Sequence, residues 1–179
     1  GERKRVNLGQ ELLDPTIEIL ITQGYICRNH RNEIDNLKRG GSDYTASLIG
    51  AAVQADEVQI WTDIDGMHNN DPRVVKKTIP ISHLTFDEAS ELAYFGAKIL
   101  HPSTIVPAQK YNVPVRLKNT MDEKAPGTII TEKAGSERSF KAIAAKDGIT
   151  AINIRSSRML MAYGFLRRVF EVFENHKTS

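Results

Sequence analysis

The stretch LKRGGSDYTASLIGAA, Leu37 to Ala52, sets a guanidinium, two glycines, a hydroxyl and a carboxylate directly before a run of small apolar residues. Gly40 and Gly41 allow a ligand close to backbone N–H groups. Ser42 can cap a helix that carries Asp43 in its first turn. A helix start of this kind favours an anion, and Arg39 can fork onto a carboxylate or a phosphate. Asp43 prefers the opposite, an ammonium group or a metal. An Arg and an Asp four residues apart, joined by glycines, suit a zwitterion such as an amino acid. The same residues would also make a plain capped helix with a surface arginine. The pattern is not a phosphate-binding P-loop, because the Lys–Ser/Thr ending is missing, and it is not the dinucleotide fingerprint.

A second cluster follows in WTDIDGMHNNDPR. Thr62 and Asp63 fall where a strand meets a loop, the usual ligand crevice of an open α/β sheet. A carboxylate there can accept a bond from a sugar hydroxyl or sit near phosphate-bound Mg²⁺; equally, Asp63, Asp65 and Gly66 can simply build a turn. Arg73 can reach a phosphate or pair with Asp71. The spacing of these aspartates is not that of a calcium loop. In FGAKILHP, Lys98 is a candidate charge partner for phosphate, and His101 before Pro102 reads as a structural cap. The five histidines are dispersed, so no imidazole metal site is expected. Cys27 reads as a small buried hydrophobe rather than a nucleophile.

These residues need elements to hold them. Thr16–Thr22 is β-branched and apolar and predicts a buried strand, extended by Tyr25–Cys27; RNHRNEIDN reads as a polar loop. A helix is predicted over about 43–54, a strand over 57–63 and a turn-rich loop after it. Thr85 to Gly96 is the clearest helix: Thr85 and Glu88 have capping-box spacing, and Phe86, Ala89, Leu92 and Ala93 share a face. Pro102 suits a first helical turn, whereas Pro107 should interrupt its segment. Short strands are predicted over 113–119 and 127–131. Strands alternating with helices predict an α/β layered domain. TEKAGSERS reads as a linker. Beyond it FKAIAAKDG and ITAINIRSS, residues 140–157, read as a hairpin or two neighbouring strands, followed by an amphipathic helix striped by Leu166, Val169, Phe170 and Phe173.

Composition narrows the classes. The 179 residues make one domain or slightly more. A net charge of +2 disfavours a nucleic-acid partner, and the basic start GERKR reads as a surface end. One cysteine excludes an internal disulfide and a multi-cysteine zinc or iron–sulfur site, and fits a reducing cytoplasmic compartment. No run has the apolar length of a membrane span, and nothing reads as a secretion signal. With no initiator Met, the expectation is a fragment, a processed product or an incomplete chain.

Taken together, KRGGSDYTASLIGAA, VQIWTDIDG, NNDPRVV, ELAYFGAKILHP and ITAINIRSSRMLMAYGFLRRVF resemble the aspartate kinases of the amino-acid kinase family. The resemblance runs from about Ile17 to near the end of the chain. It implies a layered α/β kinase sheet with flanking helices, followed by the start of a small α+β regulatory domain of the ACT type. The implied division is 1–131 for the nucleotide-side part of the catalytic domain, 132–139 for a linker, and 140–179 for the regulatory start. The implied reaction moves the γ-phosphoryl of ATP, with Mg²⁺, to the β-carboxylate of L-aspartate. Its product, 4-phospho-L-aspartate, begins lysine, threonine and methionine synthesis. In that scheme Arg39 grips a substrate carboxylate and Asp43 faces its ammonium, with Gly40, Gly41 and Ser42 shaping the floor between. Thr62, Asp63, Arg73 and Lys98 line the nucleotide site. Met159, Gly164, Phe165 and Leu166 fall where a feedback amino acid, lysine or threonine, would bind, and a homo-oligomer is expected. Lys38 stands where Gly is common in the family, and His68 where many members have Tyr. The family's Lys-Phe-Gly-Gly phosphate loop is not found, so the chain alone is expected to have little activity. Two alternatives stay open: a kinase for another amino acid, and a non-catalytic effector-binding fragment.

Overall fold

Alternating side chains make the central sheet. In Val58–Thr62, Val58 and Ile60 are buried while Gln59 and Trp61 face out, the period-two pattern of a strand with one covered face. The computed structural model describes residues 16, 18–95, 100–133, 140–145, 148–150, 152–155 and 163–176. It divides into two units, Gly1–Lys146 and Asp147–Ser179.

The first unit begins with a small antiparallel hairpin, β1 (Ile26–Arg28) and β2 (Ile34–Asn36). Helix α1 (Gly41–Val53) leads to β3 (Val58–Thr62). After a long loop come β4 (His83–Thr85), α2 (Phe86–Phe95), a 3₁₀ turn (Pro102–Thr104), α3 (Val106–Lys110), β5 (Val115–Asn119) and β6 (Thr128–Thr131). The sheet order is β3-β5-β6-β4. β3 lies parallel to β5, β4 parallel to β6, and β5 antiparallel to β6. Its covered face supplies Ile60, Leu84, Val115, Leu117 and Ile130 to a core closed by Phe86 and Ala89 of α2 and by Ile105 and Ala108. Gly50 of α1 lies so close to β3 that a Cβ there would come 2.2 Å from Val58 Cγ2. Only a residue without a side chain lets this helix seat on this strand.

The capping box forms in both directions. Thr85 N–H donates to Glu88 Oε2 at 2.8 Å, and Glu88 N–H donates to Thr85 Oγ1 at 3.1 Å. Phe86 and Ala89 are buried as the periodicity predicts. His101 caps the 3₁₀ turn: its Nδ1 accepts the Ser103 amide at 3.4 Å and lies 2.7 Å from Ser103 Oγ.

Other expectations are corrected. The strand expected over Thr16–Thr22 is absent among the described residues, where Ile19 and Ile21 are 80% and 91% exposed. The RNHRNEIDN stretch, expected as a polar loop, contains all of β2 as well as the hairpin turn before it, which is held by Asn29 Oδ1 accepting the Arg31 and Glu33 amides. Pro107 does not interrupt a helix but sits in the first turn of α3, where its missing N–H costs nothing. β4 is a strand the sequence did not suggest. The described residues of 140–157 form no strand, so the expected hairpin or strand pair is not found there. In the second unit, α4 (Phe165–Asn175) carries the expected stripe, and Leu166 and Phe170 are 63% and 65% exposed.

Candidate active-site cleft

The loop leaving β3 is firmly built. Thr128 Oγ1, buried in β6, accepts the Met67 amide at 2.8 Å and donates to the Ile81 carbonyl at 2.6 Å. The Ile81 amide in turn reaches the Met67 carbonyl, and the Asn69 amide reaches Ile79. His68 bridges the loop, with Nε2 2.7 Å from Asp65 and Nδ1 2.8 Å from Thr78 Oγ1. Asp65 is thereby committed to the turn, while Asp63 is left at the strand end.

This loop helps form a cleft of about 320 Å³ lined by Arg39, Thr62, Asp63, His68, Asp71 and Arg73, together with Leu92 and residues 143–145. Thr62 Oγ1 donates to Asp63 Oδ1 at 3.1 Å, which turns the carboxylate with one oxygen engaged. Arg73 pairs with Asp71 through both Nε (2.9 Å) and Nη2 (2.7 Å). The bonds to Asp71 and its charge hold the guanidinium still more firmly protonated. Arg39 has no ion-pair partner among the described residues, so its charge is available to an anion in the cleft.

The residues after Arg39 are placed differently. Ser42 is not the cap of α1. Gly40 holds that position at φ 73°, with no side-chain cap bond, and Ser42 lies in the first turn, its Oγ 3.5 Å from Asp43 Oδ1. Gly41 is buried and its amide is spent on the Lys38 carbonyl at 3.0 Å, so it is not an open donor. A Cβ on Gly40 would meet Thr104 Cγ2 at 2.7 Å and His101 Cβ at 2.8 Å. Gly40 therefore lets α1 start against the 3₁₀ turn, whereas a Cβ on Gly41 would meet Leu37 Cβ at 2.7 Å. Lys38 also lies at positive φ, 61°. Asp43 is half-buried; burial raises its pKa above the usual 3.8, only partly offset by the Ser42 bond.

Of the residues singled out by sequence, Arg39, Thr62, Asp63 and Arg73 meet in the cleft. Gly40, Gly41, Ser42 and Asp43 stand at the adjoining start of α1, outside its lining. Gly164, Phe165 and Leu166 lie at the start of α4 in the second unit. Lys98 and Met159 lie outside the described residues. Sequence reasoning missed Ile143, Ala144 and Ala145 as cleft residues; nothing in AIAAK announces a wall. Asn70 and Pro72 could have been inferred from their place between Asp63 and Arg73.

The model of the amino acid kinase family matches residues 2–119. The chain belongs to that family. It is similar to aspartokinase 1, chloroplastic, of Arabidopsis thaliana, 44% identical over 163 residues that make up 90% of this chain and 28% of that protein. It is likewise similar to the lysine-sensitive aspartokinase 3 of Escherichia coli, 40% identical over 90% of this chain and 36% of the relative. Among solved structures, E. coli aspartokinase III in complex with aspartate and ADP matches with a TM-score of 0.72 and 38% identity, over 87% of this chain and 35% of the other. The chain thus spans about a third of the length of each of these relatives.

Proposed function

We propose that this chain is the nucleotide-side part of an ATP-dependent aspartate kinase. One observation carries the reading: Arg39, from the RGGSD stretch, enters the same cleft as Thr62, Asp63 and Arg73 from the β3 end and its loop. A free cation and a strand-end carboxylate in one cleft suit a phosphoryl donor beside an anionic acceptor. The β-carboxylate of L-aspartate is already ionised and needs no general base. One of its oxygens bonds to the γ-phosphorus as the bond from that phosphorus to the ADP oxygen breaks. Positioning and charge neutralisation carry such a transfer.

Arg39 holds a substrate carboxylate, and Asp43 receives the ammonium. Its raised pKa supports this, because a half-buried carboxylate gains most from an arriving cation. Arg73, half-satisfied by Asp71, turns its remaining edge to phosphate. Asp63, with one oxygen engaged by Thr62 at the end of β3, is the carboxylate that would meet Mg²⁺ carried on the nucleotide phosphates; when bound, the ion neutralises phosphate charge.

Residues 140–179 are read as the start of an ACT-like regulatory domain. Gly164, Phe165 and Leu166 would receive lysine or threonine, and the exposed stripe of α4 would be covered in a homo-oligomer. A cytoplasmic enzyme is the simplest setting. The test is a panel of L-aspartate, L-glutamate and N-acetylglutamate with Mg–ATP and the whole protein, trapping the acyl phosphate with hydroxylamine. Trapped product from aspartate alone supports the reading. Equal product from glutamate moves the chain to another amino-acid kinase, and lysine or threonine binding without any transfer favours an effector-binding fragment.

A further inference from the structure

Residues 140–145 follow the linker and belong to no helix or strand, yet they are tied down at two points of the first unit. Lys141 Nζ lies 2.7 Å from Glu88 Oε1 and 2.8 Å from Oε2, with the lysine side chain only 14% exposed. Two residues on, the Ile143 amide donates to the Asn69 carbonyl at 2.9 Å. Asn69 belongs to the loop that carries Asp71 and Arg73. Between these ties the segment passes from the first turn of α2 to the cleft, where Ile143, Ala144 and Ala145 form a wall.

We propose that the Lys141–Glu88 ion pair is a clasp that positions residues 143–145 as a wall of the nucleotide cleft. Both residues are positioning residues; neither lines that cleft. The proposal rests on the nucleotide reading of the cleft. A segment without ladder hydrogen bonds opens locally unless a few strong contacts hold it. With the clasp gone, the backbone bond at Ile143 is left to hold the wall. A ligand that needs the wall in place binds more weakly in proportion to the docked fraction.

Glu88 has a second task, since its Oε2 also accepts the Thr85 amide that starts α2. Glu88→Gln keeps an acceptor for that amide and removes the charge; Lys141→Met keeps the apolar stem and removes the cation. Lys141→Arg is the conservative control. Two readouts are made on the whole protein: hydrogen exchange at the Ile143 amide, and Mg–ATP affinity by calorimetry. If the docked fraction falls to between a tenth and a third, both charge-removing variants should weaken Mg–ATP roughly 3- to 10-fold. They should speed exchange at Ile143 alike, with Lys141→Arg close to the parent. Unchanged exchange at Ile143 in both variants overturns the clasp. Faster exchange with unaltered Mg–ATP affinity overturns the wall. A parent protein that binds no Mg–ATP defeats the nucleotide reading instead, and the exchange measurement then still decides whether the clasp holds the strap.

Discussion

Replacing Gly40 by alanine tests how the site is built. Its φ of 73° lies in the left-handed region, and a Cβ there would sit 2.7 Å from Thr104 Cγ2 and 2.8 Å from His101 Cβ. Left-handed backbone costs an alanine about 1–2 kcal/mol, and forcing carbon into a packed contact adds typically about 1–3 kcal/mol. The expected loss is about 3 kcal/mol, a fall in midpoint of roughly 6–12 °C for a domain of this size. Thr104→Ser removes the nearer clashing carbon while leaving an Oγ for the 2.6 Å bond to the His101 carbonyl. In the Thr104→Ser background the cost of Gly40→Ala should shrink by about 1 kcal/mol, a coupling that a double-mutant cycle by urea titration resolves. A midpoint shift under about 2 °C for the single variant, which at this size is less than about 1 kcal/mol, or an equal cost in both backgrounds, would refute this account of why α1 begins there.

Three further outcomes follow from individual side chains. Ser47 Oγ in α1 is fully buried without a hydrogen-bond partner, so Ser47→Ala should stabilise the protein by about 0.5–2 kcal/mol in urea unfolding; a loss of stability would contradict that. Burial raises the Asp43 pKa above 3.8, so the ionised carboxylate costs stability at neutral pH, and that cost fades as pH falls through its raised pKa. Asp43→Asn should therefore raise the melting midpoint at pH 7 while weakening aspartate binding; a lower midpoint would show the carboxylate is already paired. At Glu88 burial pushes the pKa up, but the Lys141 bond, the Thr85 bonds and the Lys141 charge outweigh it and hold the pKa below 4.5. Its contribution is complete above pH 4.5 and lost as pH falls through the lower folded value. A stability profile of Glu88→Gln should be flatter than the parent's below pH 4.5, and parallel profiles would rule the pair out as a source of acid sensitivity.

Features set by neighbours in the chain were legible in the sequence. The Thr85–Glu88 box, the buried stripe of α2, the His101 cap and the strand that ends at Thr62, just before Asp63, depend on spacings of a few residues. What escaped depends on distant partners. β4 is three residues long and is a strand because His83–Thr85 pairs with Ile129–Thr131. The apolar run at 16–22 looks like a core strand, but its described residues gain no ladder and stay exposed. Ser42 is a good cap residue by type, yet the left-handed Gly40 starts the helix earlier, since only glycine fits against Thr104 and His101. The same logic holds for the site. Arg39, Thr62, Asp63 and Arg73 announce themselves by chemistry, while Ile143 to Ala145 become cleft residues only through ties to Asn69 and Glu88.

The proposed reading has one cleft take the nucleotide at Asp63 and the acceptor at Arg39. Calorimetric titration of Mg–ATP into the parent, Asp63→Ala and Arg39→Ala, each first shown to be folded, tests it most directly. A bond to a charged group is worth about 1.5–3 kcal/mol, so Asp63→Ala should weaken Mg–ATP about tenfold or more, while Arg39→Ala should leave it within a factor of about three, less than 1 kcal/mol. Mg–ATP binding that is indifferent to Asp63→Ala, or that falls equally with both substitutions, would contradict it.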